Sequence, residues 1–166
     1  MTPAPSAEAV PEASALERLH ILQTAESVAL VGVSPNPLSS SNFVATYLIR
    51  TPFRIYMVNP AADEILGRPS YPSLADLPEV PDIVDVFRRH DAIPGVVEEA
   101  IAVGAKVVWL QLGVRHGEAA RTAMDAGLLV VQDRCLKIEH ARFSGRLNLA
   151  GFNTGVITST RRRPLS

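Results

Sequence analysis

Short apolar runs and amphipathic stretches take turns along this chain. From Val28 to Val33 every residue is apolar except Gly32, and the run stops at Ser34-Pro35-Asn36-Pro37. Such a run is too short for a helix of its own and does not alternate, so it predicts a strand covered on both faces. Residues 54–58, 82–87, 106–110 and 128–131 repeat the pattern, and a shorter strand is expected around 67–71. Helical stripes fall between them. Ser14 and Glu17 have the spacing of a capping box ahead of Leu16, Leu19, Ile21 and Leu22. Phe43, Val44, Tyr47 and Leu48 form a second apolar face, and Ile93, Val97, Ala100 and Ile101 a third, which Gly104 can close. Ala119, Ala120, Ala123 and Met124 point inward from a fourth helix ended by Gly127, and residues 73–77 predict a single helical turn.

Strand and helix at this spacing require right-handed crossovers and a parallel sheet with helices on both faces. The expected fold is therefore α/β: a Rossmann-like, three-layer αβα domain with a mostly parallel sheet of about five to six strands. Its expected limits are 14–150, after a flexible tail at 1–13 and before a C-terminal extension at 151–166. The first residues, MTPAPSAEAVPEAS, have neither a basic start nor an apolar core, so they read as a tail and not as a signal peptide. Arg161, Arg162 and Arg163 read as a solvated end.

Composition narrows the function classes. At 166 residues, with 47% hydrophobic and 20% charged residues, the chain has material for one globular core. A net charge of −1 argues against nucleic acid or an anionic membrane as partner, so phosphate recognition has to come from a local site. Cys135 is the single cysteine, which excludes an internal disulfide and fits a reducing, cytoplasmic setting. No apolar run reaches the length of a bilayer.

In an open parallel sheet, ligands sit outside the carboxyl ends of the strands, where strand order reverses. The segments to question are thus the loop from Gly32 to Asn42, Asn59-Pro60, Phe87-Arg88-Arg89, Gln111-Leu112-Gly113 and Asp133-Arg134-Cys135. A dinucleotide fingerprint would place glycines where this chain has Gly32, Ser34 and Pro37, so only the first is present. Ser39, Ser40 and Ser41 could offer hydroxyls to a phosphate beside the next helix, or simply cap that helix; both readings stay open. Asn59-Pro60 puts no carboxylate where a nicotinamide enzyme holds its ribose, and the pair also suits a plain strand-ending turn. Arg88 or Arg89 could grip a phosphate with Phe87 as an apolar wall; alternatively one is solvated and the other pairs with Asp85 or Asp91.

Taken together, several blocks resemble the small stand-alone CoA-binding domain proteins, a group similar to the N-terminal domain of the succinyl-CoA synthetase α subunit. They are Val31 to Pro37, Ser41, Val44-Ala45, Tyr47-Leu48, Val58-Asn59-Pro60, Gly67, Tyr71-Pro72-Ser73-Leu74, DIVDVFRR at 82–89, GAKVVWLQLGV at 104–114 and DRCLKIEH at 133–140. The resemblance covers roughly residues 20–143. It implies that Gly32, Ser34, Pro35 and Ser41 line the phosphate end of coenzyme A, with Asn59 and Pro60 against the adenosine. It further implies Phe87, Arg88 and Arg89 beside the ribose phosphate or pantetheine, and Gln111, Leu112 and Gly113 along the pantetheine arm. The family loop commonly carries an arginine and a proline ahead of the serine, and this chain has Ser39-Ser40 there instead.

Catalytic groups are sparse in the sequence. Cys135 and His140 lack an orienting acid, because Glu139 would point elsewhere on a helix, so Cys135 reads as a pocket-lining thiol. Two such residues do not make a metal site. Trp109 reads as core, and Glu98 and Glu99 as a solvated face. The sequence thus leads to non-catalytic binding of coenzyme A or a short acyl-CoA. An NAD(P)-binding oxidoreductase-like domain and a CoA-binding subunit of an acyl-CoA ligase are the alternatives, and a homodimer is a further partner to consider.

Overall fold

The computed structural model describes residues 10–146, so the expected C-terminal extension at 151–166 lies outside the described residues. Helix α1 (Ala15–Thr24) opens on the capping box that Ser14 and Glu17 form, each side chain bonded to the other's backbone N–H. Strand β1 (Ser27–Val31) follows, buried along its whole length. Then come α2 (Ser40–Leu48), β2 (Arg54–Val58), β3 (Glu64–Ile65), β4 (Arg68–Tyr71) and a 3-10 turn at Leu74–Asp76. The second half runs β5 (Ile83–Val86), α3 (Ile93–Val103), β6 (Val107–Leu110), α4 (Gly117–Asp125), β7 (Leu129–Val131) and α5 (Leu136–Ala141).

The seven strands lie in the order β3-β4-β2-β1-β5-β6-β7, and every pair is parallel except β3 with β4. The sheet is one strand larger than the expected range, because residues 64–71 fold back as a small antiparallel hairpin on its edge. Successive residues of each central strand serve opposite cores. Ala29, Val31, Val84, Val86, Val108 and Leu110 face α3 and α4. Val28, Leu30, Ile83, Val107 and Trp109 face α1, α2 and α5. Both faces are thus covered, the arrangement that continuous apolar strands require.

Three expected core positions lie outside. Leu16 is exposed on α1, where the buried stripe is Leu19, Ile21 and Leu22 together with Arg18. Phe43 stands in solvent with the Lys137 ammonium 4.1 Å above its ring, and Leu129 is half exposed on the edge strand. Of the expected N-terminal tail, residues 10–13 are described. Val10 packs against the α3/α4 core, Glu12 pairs with Arg115, and the Ala13 carbonyl accepts from Arg18.

A buried ion pair joins the two ends of this body. The Arg18 Nε lies 3.1 Å from Glu139 Oε2, with both residues buried, so α1 is fixed to α5. Removing one partner of such a pair leaves an uncompensated buried charge, which is far more damaging than losing a surface pair.

Candidate functional site

Strand order reverses between β1 and β5: the chain leaves β1 for β2 on one side, and β5 for β6 on the other. The loops that follow these two strands diverge there and open a crevice at their carboxyl ends. Gly32 and Phe87-Arg88 form its floor. The Phe87 N–H donates to the Val31 carbonyl and the Gly32 N–H to the Val58 carbonyl. Gly32 has φ +86°, and a Cβ placed on it would stand 2.8 Å from the Phe87 carbonyl oxygen and 2.7 Å from Arg88 Cδ. The two loops can approach this closely only because that position carries no side chain.

The crevice has two halves that share Phe87, Arg88 and Arg89. The first, of about 420 Å³, has apolar walls in Val44, Phe87, Leu112, Val114 and Ile138, with Ser40, Ser41, Gln111 and Cys135 as polar members. The second, of about 480 Å³, is polar, lined by Gly32, Asn59, Asp91 and Ala92 beside the shared residues. A smaller pocket of about 280 Å³, which shares Gly32, Arg88 and Ala92 with it, brings in Pro60. Each of the two halves falls in the size range of small-molecule sites.

The two arginines are the cations of the crevice. Both are exposed, and among the described residues neither has an ion-pair partner. The sequence alternative that one of them pairs with Asp85 or Asp91 is therefore corrected. Asp85 cannot serve because it lies inside β5 with no exposure at all, on the sheet face that carries Leu30 and Trp109. Asp91 lines the polar half without an ion pair to either arginine.

Asp85 is the functional candidate that strand-end reasoning missed. Its Oδ1 accepts from Gln111 Nε2 at 2.6 Å, while Oδ2 is buried without a partner among the described residues. Full burial drives its pKa well above the ordinary carboxylate value, against the opposing pull of the Gln111 bond. The one signal in the sequence was an acid in the middle of an otherwise apolar strand. The folded state therefore keeps a proton that the unfolded chain sheds at the usual carboxylate pH. Stability from this group is full below that pH and is lost as pH rises through the raised folded value. Asp85→Asn keeps the bond from Gln111 and removes the titration. Urea midpoints should thus show wild type losing ground to the Asn variant as pH rises; parallel curves would refute a neutral Asp85.

The serine loop resolves what its residue types left open about local structure. Ser39 is the N-cap of α2, its Oγ accepting from the Asn42 N–H at 3.1 Å. Ser41 Oγ accepts from the Ser34 N–H at 2.9 Å and lies 3.2 Å from Ser39 Oγ. These hydroxyls brace the loop. Of the three serines that begin the helix, Ser40 and Ser41 line the apolar half, whereas Ser34, Pro35 and Ser39 line neither half. Gly113 also lies outside both; at φ +82° its N–H donates to Asp133 Oδ1. Asn59 lines the polar half while its amide donates to the Val33 carbonyl at 2.8 Å and its oxygen accepts from Ala61. Val44 and Ile138 were missed because they reach the crevice from helices, where strand-end reasoning does not look.

Cys135 and His140 are not a reacting pair. His140 Nδ1 lies 2.8 Å from the Tyr47 hydroxyl and Nε2 3.2 Å from Ser144 Oγ, and burial pulls its pKa down. Glu139 is turned to Arg18. Among the described residues no cluster of three or more His, Cys, Asp or Glu could hold a metal ion, and no helix is long and apolar enough to cross a membrane.

The family profile of the CoA binding domain matches residues 26–141, which includes every strand and the whole crevice. The chain belongs to the CoA binding domain family. Two small proteins resemble it over nearly their full length. YneT of Bacillus subtilis is 38% identical over 128 residues, covering 77% of this chain and 95% of that protein. A hypothetical protein of Pyrococcus horikoshii OT3, known as a solved structure, is 37% identical with a TM-score of 0.75, covering 86% of this chain and 97% of its own. An ADP-forming acetate–CoA ligase of Archaeoglobus fulgidus is 29% identical over 119 residues, which cover 66% of this chain but 17% of the ligase. The likeness thus falls on one segment of a much larger protein.

Proposed function

We propose that this CoA-binding domain holds coenzyme A, or a short acyl-CoA, across the crevice without transforming it. The carrying observation is the division of the crevice into an apolar and a polar half, joined at two arginines that no acid among the described residues engages. Coenzyme A has the same division: a pantetheine arm suited to Val44, Leu112, Val114 and Ile138, and a phosphorylated adenosine suited to Asn59, Arg88 and Arg89. Guanidinium groups free of carboxylates can give both of their donor edges to phosphate. The missing glycines and the lack of an acid after β2 speak against a nicotinamide dinucleotide.

Calorimetric titration with coenzyme A, acetyl-CoA, NAD and NADP tests this ranking. Coenzyme A or acetyl-CoA should bind and the dinucleotides should not; binding of NADP without coenzyme A would reverse it. A second reading, that the chain serves as the CoA-binding subunit of an acyl-CoA ligase, draws support from its likeness to one segment of the Archaeoglobus ligase. Stable co-purification with a ligase chain would favour that reading over an independent carrier.

A further inference from the structure

Cys135 has half-buried access to solvent and lines the apolar half of the crevice. It precedes α5, so its position is set by the helix that Glu139 anchors to Arg18. Arg88 and Arg89 border the same half, and among the described residues no carboxylate lines it. A second and independent feature points to what enters there. Gln111 is only 5% exposed yet lines this half; its amide nitrogen is committed to Asp85, and its carbonyl oxygen has no partner among the described residues. An unpartnered carbonyl oxygen on an otherwise buried side chain at a cleft is an acceptor that a ligand N–H can meet. The pantetheine arm has two amide N–H groups and ends in a sulfur. An arm that meets Gln111 therefore carries its thiol into the same lining as Cys135.

We propose, building on the coenzyme A reading above, that Cys135 captures coenzyme A as a mixed disulfide, with CoA disulfide as the oxidant. The Cys135 sulfur attacks one sulfur of CoA disulfide. The new Cys135–sulfur bond forms as the sulfur–sulfur bond of the reagent breaks, and the departing CoA sulfur takes up the proton that Cys135 gave up. Cys135 is oxidised and the released coenzyme A is reduced, so no other electron acceptor is needed. Attack by a second thiol reverses the step. Such capture would fill the crevice until a reductant clears it, which makes occupancy respond to the thiol–disulfide balance.

The test uses the full, reduced chain and CoA disulfide, followed by intact mass and peptide mapping. One adduct of a single coenzyme A less two hydrogens is expected on Cys135, absent in Cys135→Ser and reversed by dithiothreitol. Its rate should saturate with reagent and exceed that with glutathione disulfide by roughly tenfold, because the charged crevice concentrates its own ligand. A rate that stays linear and equal for both disulfides would mean an ordinary accessible thiol and overturn the proposal. So would the lack of any adduct in a protein that binds reduced coenzyme A by calorimetry. Failure of wild type and Cys135→Ser alike to bind reduced coenzyme A would instead remove the coenzyme A reading, and this proposal with it.

Discussion

Gly32→Ala should lower folding stability by about 2–5 kcal/mol, combining roughly 1–2 kcal/mol for an L side chain at positive φ with roughly 1–3 kcal/mol for forced overpacking. The Arg88 side chain could swing away from an added methyl group, but the Phe87 carbonyl belongs to the backbone that continues β5 and accepts no such displacement. Relief would require pushing the β1 and β5 loops apart, and that separation is the floor of the crevice. The variant should therefore lose ligand affinity along with its urea midpoint. A loss below about 1 kcal/mol, in the range of an ordinary point mutation, would show that the contact is not rigid.

Arg88→Ala with Arg89→Ala should leave folding unchanged and weaken coenzyme A binding. Each charge-assisted hydrogen bond to phosphate is worth about 1.5–3 kcal/mol when desolvated, and these side chains are exposed, which brings the expectation to the lower end. A roughly tenfold rise in Kd for each single variant and about a hundredfold rise for the pair follows at low salt. Added salt should narrow the gap, since screening weakens the wild-type contacts first. Calorimetry at two salt concentrations reads both effects. Unchanged affinity in the double variant would take both residues out of the site.

Much of the fold was legible because its physics is local. Strands such as β1 are apolar on both faces and short, and few structures other than a covered parallel sheet use such a segment. The capping box at Ser14 and Glu17 was legible for the same reason, since both partners lie within one turn. Leu16 and Phe43 misled because helical periodicity shows which residues share a stripe, while the neighbours that cover a stripe come from elsewhere in the chain. The β3–β4 hairpin was only partly legible: two residues of β3 have no pattern of their own.

The site was legible to a different degree. Strand-end reasoning located the crevice, and the structure brings Ser41, Phe87, Arg88, Arg89, Gln111, Leu112 and Cys135 together in one half, with Gly32 and Asn59 in the other. The partners of the arginines were not legible. Whether Asp85 reaches them depends on which sheet face its side chain takes, and that follows from register against Leu30 and Trp109, two long-range pairings. The serine loop was ambiguous for a related reason. A hydroxyl that caps a helix and one that meets a phosphate look the same in a sequence, and only the bonds from Asn42 and Ser34 show that these hydroxyls brace the loop.

The buried contact between Arg18 and Glu139 gives the crevice wall an unexpected dependence. Ile138 and Cys135 belong to a short segment late in the chain, yet a residue from the first helix fastens that segment from behind. A shortened protein starting after Arg18 would keep every crevice residue and still lose the hold on that wall, with Glu139 left to the more distant Arg142 at 3.9 Å on its own segment. Trimming far from the crevice would then register as a slackened grip on whatever lies against Ile138.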